Sequence, residues 1–408
     1  MRRWLGTCLA LTACAAPPDA ATRTSGAAGR DSAGIRIIDN TSVSPRAAWS
    51  VSSTPALEIG AVQGGDPAAL LDGVVGATRM SDGRIVIANG GTRELRFFSA
   101  QGQHLRSAGG QGQGPGEFRW LRRLGRIAGD TLIAADFRPG TLAWFDAAGN
   151  YLFTTLDSIR GVEPPLILTD GSLLEPLYES GGFGGEWESF AIRRRQAEQD
   201  GFFRPAFDLV RIARGNARRD TLGRFHSFEL FKVHTEGPAD ATRMRPFARG
   251  TLLAFGPGRI YVAHSDSFDI RVYQEPATLT MRIRKPVASA PLLPMDRDAI
   301  EQLVARESPH EPRRTWMRRW LAEVPWPEAK PAIRALQGDA LGYLWVAESA
   351  RSDAPAETWS VFDPRGELLT TLELPAGLET FEIGTDYLLG LWRDPLGVEF
   401  IRLYTLTR

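Results

Sequence analysis

Short runs in which apolar and charged residues alternate, each bounded by a turn, recur along the chain. Residues 82–118, DGRIVIANGGTRELRFFSAQGQHLRSAGGQGQGPGEF, show the unit. Residues 84–88, 94–98 and 104–107 have the composition of β-strands, and Asp82-Gly83 and residues 100–102 have that of turns. Three strands of this length cannot bury both faces alone, so the pattern predicts copies that stack against one another.

The turn-plus-strand element occurs six times, centred on Arg84, Thr131, Ser172, Arg259, Tyr343 and Tyr387. The intervals are 47, 41, 87, 84 and 44 residues, and three of them match the four-stranded blade of a β-propeller, which takes about 40 to 50 residues. Each long interval is interpreted as one blade plus an insertion. The first insertion is the charged stretch 181–204 in blade three, and a seven-bladed fold with this interval split into two blades is the alternative.

The second insertion is predicted to be helical and to follow blade four, over about residues 295–328. Asp296 stands where a helix cap is expected, and Ile300, Leu303 and Val304 fall on one face. The mixture of Arg and Trp in residues 313–320 fits a segment whose Trp side chains pack on the propeller rim. A membrane-surface or RNA-binding helix is the alternative.

The last repeat lacks an outer strand of its own. Residues 57–60, followed by glycines at 64 and 65, parallel the outer strand and glycine-rich exit of residues 104–116. The N-terminal segment can therefore supply the fourth strand of the last blade, which removes exposed strand edges. The predicted fold class is all-β, a six-bladed β-propeller over residues 35–408 that is closed by its N-terminal strand.

The first residues have the form of a secretory signal, in which Arg2 and Arg3 precede an apolar run at residues 4–13. The run is too short to span a bilayer. Leu11-Thr-Ala-Cys14 resembles a bacterial lipobox, which implies removal of residues 1–13 of the 1–14 signal segment and lipidation of Cys14. An ordinary signal peptide cut near Ala16 is the alternative. Residues 15–34 are predicted to be a flexible tether.

Composition and motifs exclude several classes of function. The 48 basic residues equal the 48 acidic ones, so no nucleic-acid partner is expected. The sequence contains no HExxH, Walker A or glycine-flanked serine motif, and its five His residues lack ligand spacing. The glycines of residues 109–116 precede another strand pattern, so they indicate a loop between blades rather than a dinucleotide site.

One set of polar residues could meet at a mouth of the central channel. The predicted second strands of four blades end in Asn89, Asp136, His264 and Glu348, with Arg138 and Arg393 close behind two of the strand ends. In antiparallel blades these strand ends all open on one face. The six residues are therefore candidate channel-mouth ligand-binding residues, and the alternative is that strand ends are polar because they meet water.

Two features carry a resemblance to known families. The exit GQGPGEF at residues 112–118, with the strand 96–99 and the Gly102 turn before it, resembles the NHL type of propeller repeat. The lipobox, the six repeats and the helical insertion before Tyr343 are similar to bacterial six-bladed β-propeller lipoproteins. The resemblance covers about residues 35–408 and is weakest in blades three and six.

The resemblance implies two classes of function. The first is a non-enzymatic binding module, held at the cell envelope by its N-terminal lipid and recognising an envelope protein, a peptide or a glycan. The second is a metal-assisted hydrolase or lyase of the lactonase or streptogramin-lyase kind, in which oxygen ligands from several blades hold a divalent cation such as calcium at the channel mouth. Ala15 after the cysteine favours the outer membrane. The absence of a repeated acid or base favours the binding module.

Overall fold

The structure, a computed structural model, describes residues 28–41, 45–62, 66–136, 140–155, 165–178, 201–216, 218–233, 241–288, 290–307, 311–349 and 357–408. Most of the strands belong to six antiparallel sheets, numbered here in chain order. Sheet 1 contains Val74–Arg79, Ile85–Asn89, Glu94–Phe98 and His104–Gly109. Sheet 2 contains Leu121–Ile127, Thr131–Asp136, Thr141–Phe145 and Tyr151–Thr155. Sheet 3 contains Leu166–Ile167, Leu173–Tyr178, Ala206–Ile212 and Arg219–His226.

The second half of the chain repeats this arrangement. Sheet 4 contains Thr251–Gly256, Arg259–His264, Asp269–Gln274 and Thr278–Arg284. Sheet 5 contains Ile333–Gly338, Leu344–Glu348, Glu357–Phe362 and Leu368–Leu374. Sheet 6 contains Glu379–Ile383, Tyr387–Arg393 and Glu399–Thr407, with Ser50–Val51 and Leu57–Ile59 paired to the last of these. Among the described residues, no seventh sheet of four strands is present.

Alternate residues of each strand face different neighbouring sheets. In sheet 1, Ile85, Ile87 and Phe98 pack with residues of sheet 6, whereas Val86 and Phe97 pack with residues of sheet 2. This follows from the two-residue period of a β-strand, which sends successive side chains to opposite faces. A continuous apolar run such as residues 85–88 therefore predicts a sheet that is buried on both faces.

Six apolar clusters in the described part of the chain lie between consecutive sheets. They join sheets 1 and 2, 2 and 3, 3 and 4, 4 and 5, and 5 and 6. The sixth cluster joins sheet 6 to sheet 1, and it contains Leu389 and Ile401 of the last sheet with Ile85 and Ile87 of the first. The fold is thus all-β and of the β-propeller type, with its core distributed between sheets rather than in one centre.

The N-terminal strand pairs where the sequence predicts. Ile59 lies opposite Ile401 and Leu57 opposite Leu403, in antiparallel register. Ile59 is 2% exposed and belongs to the cluster between sheets 6 and 1. The last strand of the chain therefore has its outer edge covered by a segment that is almost 350 residues earlier in the sequence.

The prediction of a flexible tether over residues 15–34 is wrong for residues 28–34, the part of this range that the structure describes. Ala28–Ser32 and Ile35–Asp39 form a hairpin, and the second strand joins sheet 4 by parallel pairing of Ile37 with Arg282. Its two-residue turn has φ of 50° at Ala33 and 80° at Gly34, which suits a tight hairpin. Burial of Ile37 and Ile38 holds this hairpin in place. Residues 1–27, including Cys14, lie outside the described residues.

Asn40 fixes the N-terminal segment to two sheets at once. Its Nδ2 donates to the carbonyl oxygens of Arg284 (3.2 Å) and Gly366 (3.1 Å), and its Oδ1 accepts from the Leu368 N–H (2.8 Å). Farther along, the N–H groups of Arg46 and Ala47 both donate to the Leu369 carbonyl oxygen. The segment from residue 28 to residue 59 thus contacts sheets 4, 5 and 6 in succession.

Two helices lie in the chain between sheets 4 and 5, within the range predicted to be helical. They are α1, Pro294–Glu307, and α2, Glu311–Glu323. Asp296 accepts a hydrogen bond from the Leu293 N–H at 2.7 Å, as expected for a residue that caps the first turn. No helix among the described residues has the length and apolar character needed to cross a membrane. Three short 3₁₀ turns occur at Pro67–Ala69, Ala128–Asp130 and Arg214–Asn216.

The remaining strands form a small separate sheet of Gly201–Phe203, Leu230–Val233 and Ala241–Met244. Phe231 of this sheet packs against Trp320, Leu321 and Trp316 of α2. Trp320 is thus buried and Trp316 half-buried in a cluster with Phe231 of the small sheet, and packing on the propeller rim stays a prediction. The charged stretch 181–204 lies mostly outside the described residues.

Substitution of Asn40 tests the contribution of the N-terminal segment. Asn40→Ala removes three hydrogen bonds and leaves the Leu368 N–H buried without its acceptor, so we expect the free energy of unfolding to fall by about 2–3 kcal/mol. Urea-induced unfolding measures the change. The matched control is Asn150→Ala in an exposed turn of sheet 2, which should cost less than about 1 kcal/mol. Equal losses in the two variants would contradict the role of Asn40.

Candidate functional site

The last residue of each of these second strands pairs with the first residue of its sheet. Asn89 pairs with Val74, the first residue of sheet 1, and Asp136 pairs with Leu121, the first residue of sheet 2. His264 pairs with Thr251 and Glu348 with Ile333 in the same way. Each residue therefore stands where the chain enters its sheet.

Asn89 and Asp136 both bind the backbone of the entering loop. Asn89 is fully buried, and its Oδ1 accepts from the Asp72 N–H at 2.8 Å. The two carboxylate oxygens of Asp136 accept from the N–H groups of Arg119 and Trp120, each at 2.7 Å. These hydrogen bonds satisfy loop donors that would otherwise be buried without a partner. Both residues therefore have a structural use at this face.

The other expected residues belong to separate local networks. His264 Nδ1 contacts Asp266 Oδ1. Arg393 pairs with Glu399 at 3.0 Å and with Glu379 at 3.3 Å, and Arg138 lies outside the described residues. Among those residues, no three His, Cys, Asp or Glu side chains group in a way that could hold a metal ion. The divalent-cation site stays a prediction.

Glu348 is the one expected residue that lines a large cavity among the described residues. The cavity has a volume of about 690 Å³ and lies between helices α1 and α2, the loop of residues 244–248, and the ends of sheets 4 and 5. Ser265, which follows His264, lines it as well. The cavity thus opens on the face where the second strands end.

The wall of the cavity is mainly apolar. The helices contribute Ile300, Val304, Met317, Trp320 and Leu321. Opposite them are Phe228, Met244, Pro246, Phe247, Ala248, Leu252, Pro331, Ile333 and Ala376. The Trp320 indole N–H donates to the Phe231 carbonyl oxygen at 3.4 Å, which leaves the ring body for packing. The apolar part of a small ligand would contact this wall.

Most charged groups in the wall are already paired. Lys330 Nζ lies 3.0 Å from Asp296 Oδ1, and Arg334 pairs with Glu357. Glu348 Oε1 accepts from Lys285 Nζ at 2.5 Å and contacts Ser360 Oγ. Lys330 with Asp296 and Lys285 with Glu348 are largely buried pairs, whereas Arg334 and Glu357 are exposed. All three pairs offer orientation rather than a free charge to a ligand.

The loop of residues 244–248 carries a strained residue into the wall. Phe247 has a φ of 53°, in the left-handed region that bulky side chains rarely adopt. The Ala248 N–H donates to the Arg245 carbonyl oxygen at 3.1 Å, and the Glu229 backbone bonds to both Arg245 and Arg249. The loop is thus held by its neighbours in a conformation that places Phe247 at the cavity.

The sequence analysis missed this loop and most of the wall. Residues 244–248 follow a charged insertion, and no periodicity there indicates burial. The signal that could have found them is the paired Trp residues of α2, because Trp316 and Trp320 need an apolar partner surface outside the six sheets. The helices and this loop come from two insertions that are far apart in sequence.

A second polar network lies at the opposite end of the first strands. Glu382 accepts from Thr78 Oγ1 at 2.5 Å and from Arg126 at 3.2 Å, and it contacts the Tyr387 hydroxyl. Burial and the adjacent Glu382 carboxylate raise the pKa of Tyr387, so this hydroxyl stays protonated. Burial opposes the charge of Arg126, but Glu382 and its other neighbours raise its pKa. The network joins sheets 6, 1 and 2.

Asp130 completes this network. Burial would raise the pKa of Asp130, but hydrogen bonds from the Ser81 hydroxyl and N–H, together with the charge of Arg126, lower it below its ordinary value. Asp130 also has a positive φ of 56° in a 3₁₀ turn. Its ionised form therefore contributes to the contact between sheets 1 and 2.

Comparisons with known proteins show remote likeness. No protein-family model and no curated protein matches the sequence. A candidate exported protein from Bacteroides fragilis is 13% identical with a TM-score of 0.47, over 91% of this chain and 99% of the other. A member of the DUF4221 family from Bacteroides vulgatus is 7% identical with a TM-score of 0.46, over 88% and 99%.

A gluconolactonase from Xanthomonas campestris is 12% identical to this chain with a TM-score of 0.41, over 90% of this chain and 99% of the other. Likeness at this level assigns no activity to the chain. The wall of the cavity and the pairing of its charges are therefore the basis for the function proposed below.

The pH dependence of stability tests the role of Asp130. Because its folded pKa lies below the unfolded value of about 3.9, its contribution is present above that pH and is lost as the pH falls through the folded pKa. Asp130→Asn should lower stability by about 1–2 kcal/mol at neutral pH and flatten its decline below about pH 4. Thermal unfolding across this range measures both. The exposed Asp386→Asn variant should behave as wild type; a wild-type pH profile for Asp130→Asn would contradict the assignment.

Proposed function

We propose that this protein is a closed six-bladed β-propeller that acts as a binding module, with its ligand in the cavity between the helices and sheets 4 and 5. The closed ring is supported by the apolar cluster between sheets 6 and 1 and by the pairing of Leu57–Ile59 with the last strand. Contacts between the first strands of sheets 6 and 1, 1 and 2, 2 and 3, and 4 and 5 agree with an inner ring.

The single observation that carries the binding role is the apolar wall of this cavity. A volume of about 690 Å³ falls in the range of small-molecule sites, about 300–1,000 Å³, and such sites are lined mainly by apolar and aromatic side chains with a few polar groups. Trp320, Met317 and Phe247 form this kind of wall. A small molecule or a peptide side chain with an apolar body would bury that surface here.

The hydrolase or lyase alternative has less support in the contacts. A metal-assisted reaction would need the strand-end residues to share one centre, with oxygen or nitrogen ligands free to bind a cation. Asn89 and Asp136 bind loop N–H groups, and Glu348 binds Lys285 and Ser360. A binding role that involves no catalysis requires none of these residues to give up its present hydrogen-bond partner.

Filling the cavity tests the binding role. Ala376 is exposed and lines the cavity, at the second position of a turn in which Gly377 has a φ of 73° and the Leu378 N–H bonds to the Pro375 carbonyl oxygen. A larger side chain is tolerated at this turn position. Ala376→Trp should therefore fold normally and occupy the opening.

The readout is the fluorescence of N-phenyl-1-naphthylamine, a neutral apolar probe. Wild type should bind the probe, and Ala376→Trp should raise the dissociation constant roughly tenfold or more. The matched control is Ala148→Trp at an exposed turn of sheet 2, which should bind as wild type does. The same affinity in all three proteins, or no binding by wild type, would contradict a ligand site in this cavity.

The envelope location and lipid anchor are also part of the proposal, supported by the charged and apolar N-terminal run and by the lipobox-like residues before Cys14. One or two acyl chains on Cys14 would hold the propeller at a membrane surface. In a Gram-negative host, Ala15 favours the outer membrane.

The two cysteines of the chain provide a test of the anchor with its own control. With an alkyne-tagged palmitate supplied during expression, wild type should incorporate the label and sediment with membranes. Cys14→Ser should lose both properties because it removes the acylated thiol. Cys8→Ser, which lies in the predicted signal, should keep them; a labelled Cys14→Ser protein would overturn the assignment.

A further inference from the structure

A group of arginines stands beside the cavity, and the described residues place too few carboxylates there to neutralise it. Arg204 and Arg245 both pair with Glu229, at 3.3 Å and 3.2 Å. The backbone N–H of Arg249 also donates to Glu229, at 3.1 Å. Among the described residues, the two guanidinium charges of Arg204 and Arg245 stand against this one carboxylate, which leaves a formal charge of +1 on the three side chains.

Each of these arginines also has an Nε–H donor without an acceptor among the described residues. In the part of the chain that the structure describes, the Nε atoms of Arg204, Arg245 and Arg249 are all buried and have no hydrogen-bond partner. A buried donor without an acceptor is costly, and more so on a charged group. Two of these donors, on Arg204 and Arg245, belong to side chains that share one carboxylate, which indicates that a further acceptor with negative charge would be stabilised there.

Arg245 connects this group to the cavity. Its side chain lines the cavity wall and is 14% exposed. Its guanidinium carbon lies 4.8 Å from the centre of the Phe202 ring, so an aromatic face orients it. Arg245 belongs to the loop of residues 244–248, which also carries Phe247. The excess positive charge therefore lies at one edge of the apolar cavity.

The other charges of the wall do not compensate this excess. Lys330 pairs with Asp296, Arg334 with Glu357, and Glu348 with Lys285. Each of these pairs is neutral as a unit. The net positive charge near the cavity thus comes from the arginine group around Glu229.

From this arrangement we infer that the cavity takes an anionic amphiphile, a molecule with an apolar body and a carboxylate. The apolar body lies against Trp320, Met317 and Phe247, and the carboxylate accepts hydrogen bonds from Arg245. Arginine suits this role because its planar fork matches the two oxygens of a carboxylate. The inference rests on the proposed binding function and names the chemical class of its ligand.

Competition experiments test the preference for negative charge. Decanoate and decylammonium have the same chain and opposite charge, and decan-1-ol is neutral. Each is used below its aggregation concentration to displace N-phenyl-1-naphthylamine at neutral pH. Decanoate should displace the probe at concentrations on the order of ten- to a hundredfold lower than decylammonium, because of the charge-assisted hydrogen bonds to Arg245.

Variants of Arg245 separate a ligand contact from a structural role. Arg245→Gln should weaken decanoate by roughly tenfold or more and leave decan-1-ol and the neutral probe unchanged, and Arg245→Lys should restore part of the affinity. Arg319→Gln on the outer face of α2, at a side chain 58% exposed, is the matched control and should bind as wild type. Thermal unfolding checks that each variant is folded.

The outcomes distinguish this inference from the proposed function. Probe binding that Ala376→Trp blocks, with equal displacement by decanoate and decylammonium, would support the cavity as a ligand site and overturn the charge preference. A decanoate preference that persists in Arg245→Gln would overturn the role of Arg245. Failure of the neutral probe and of all three competitors to bind wild type would overturn both proposals.

Discussion

Face-to-face packing of small sheets is the constraint on which the rest of this molecule depends. Each four-stranded sheet is apolar on both faces, and a sheet of that size cannot bury both faces alone. The described residues meet this requirement by placing an apolar cluster between each consecutive pair of sheets and another between the last and the first. The outer edge of the last strand is then covered by Leu57–Ile59 from the front of the chain.

Polar residues at the ends of the second strands form hydrogen bonds with the loops that enter the sheets. Where a chain enters a sheet it leaves backbone N–H groups unpaired by strands, and Asn89 and Asp136 bind these groups. Ser265 does the same for Gly250. Loop hydrogen bonds thus explain the polar residues Asn89, Asp136 and Ser265 at these strand ends. The cavity forms because the two helices and the loop of residues 244–248, which belong to different insertions, meet beside the ends of sheets 4 and 5.

The insertions also explain the charge of the cavity. Several charged groups of the six sheets form neutral pairs, such as Lys285 with Glu348. The segments around Glu229 bring arginines from both sides of the small sheet to one carboxylate, so the pairing there is incomplete. A repeated packing pattern in the six sheets and an unbalanced, partly buried charge in the added segments thus combine in one molecule.

The sequence by itself determined the repeating strands, their order, the helical segment and the strand that closes the last sheet, because alternation of apolar residues and turn chemistry are local signals. It also indicated the face on which the strand ends open. It could not show the hairpin of residues 28–39 or the cavity, since both depend on contacts between segments far apart in the chain. Tertiary structure decided which polar residues stay with backbone N–H groups, as Asp136 does, and which, like Glu348, line a cavity. The partners of these residues depend on distances between different sheets, which the spacing of residues along the sequence does not determine.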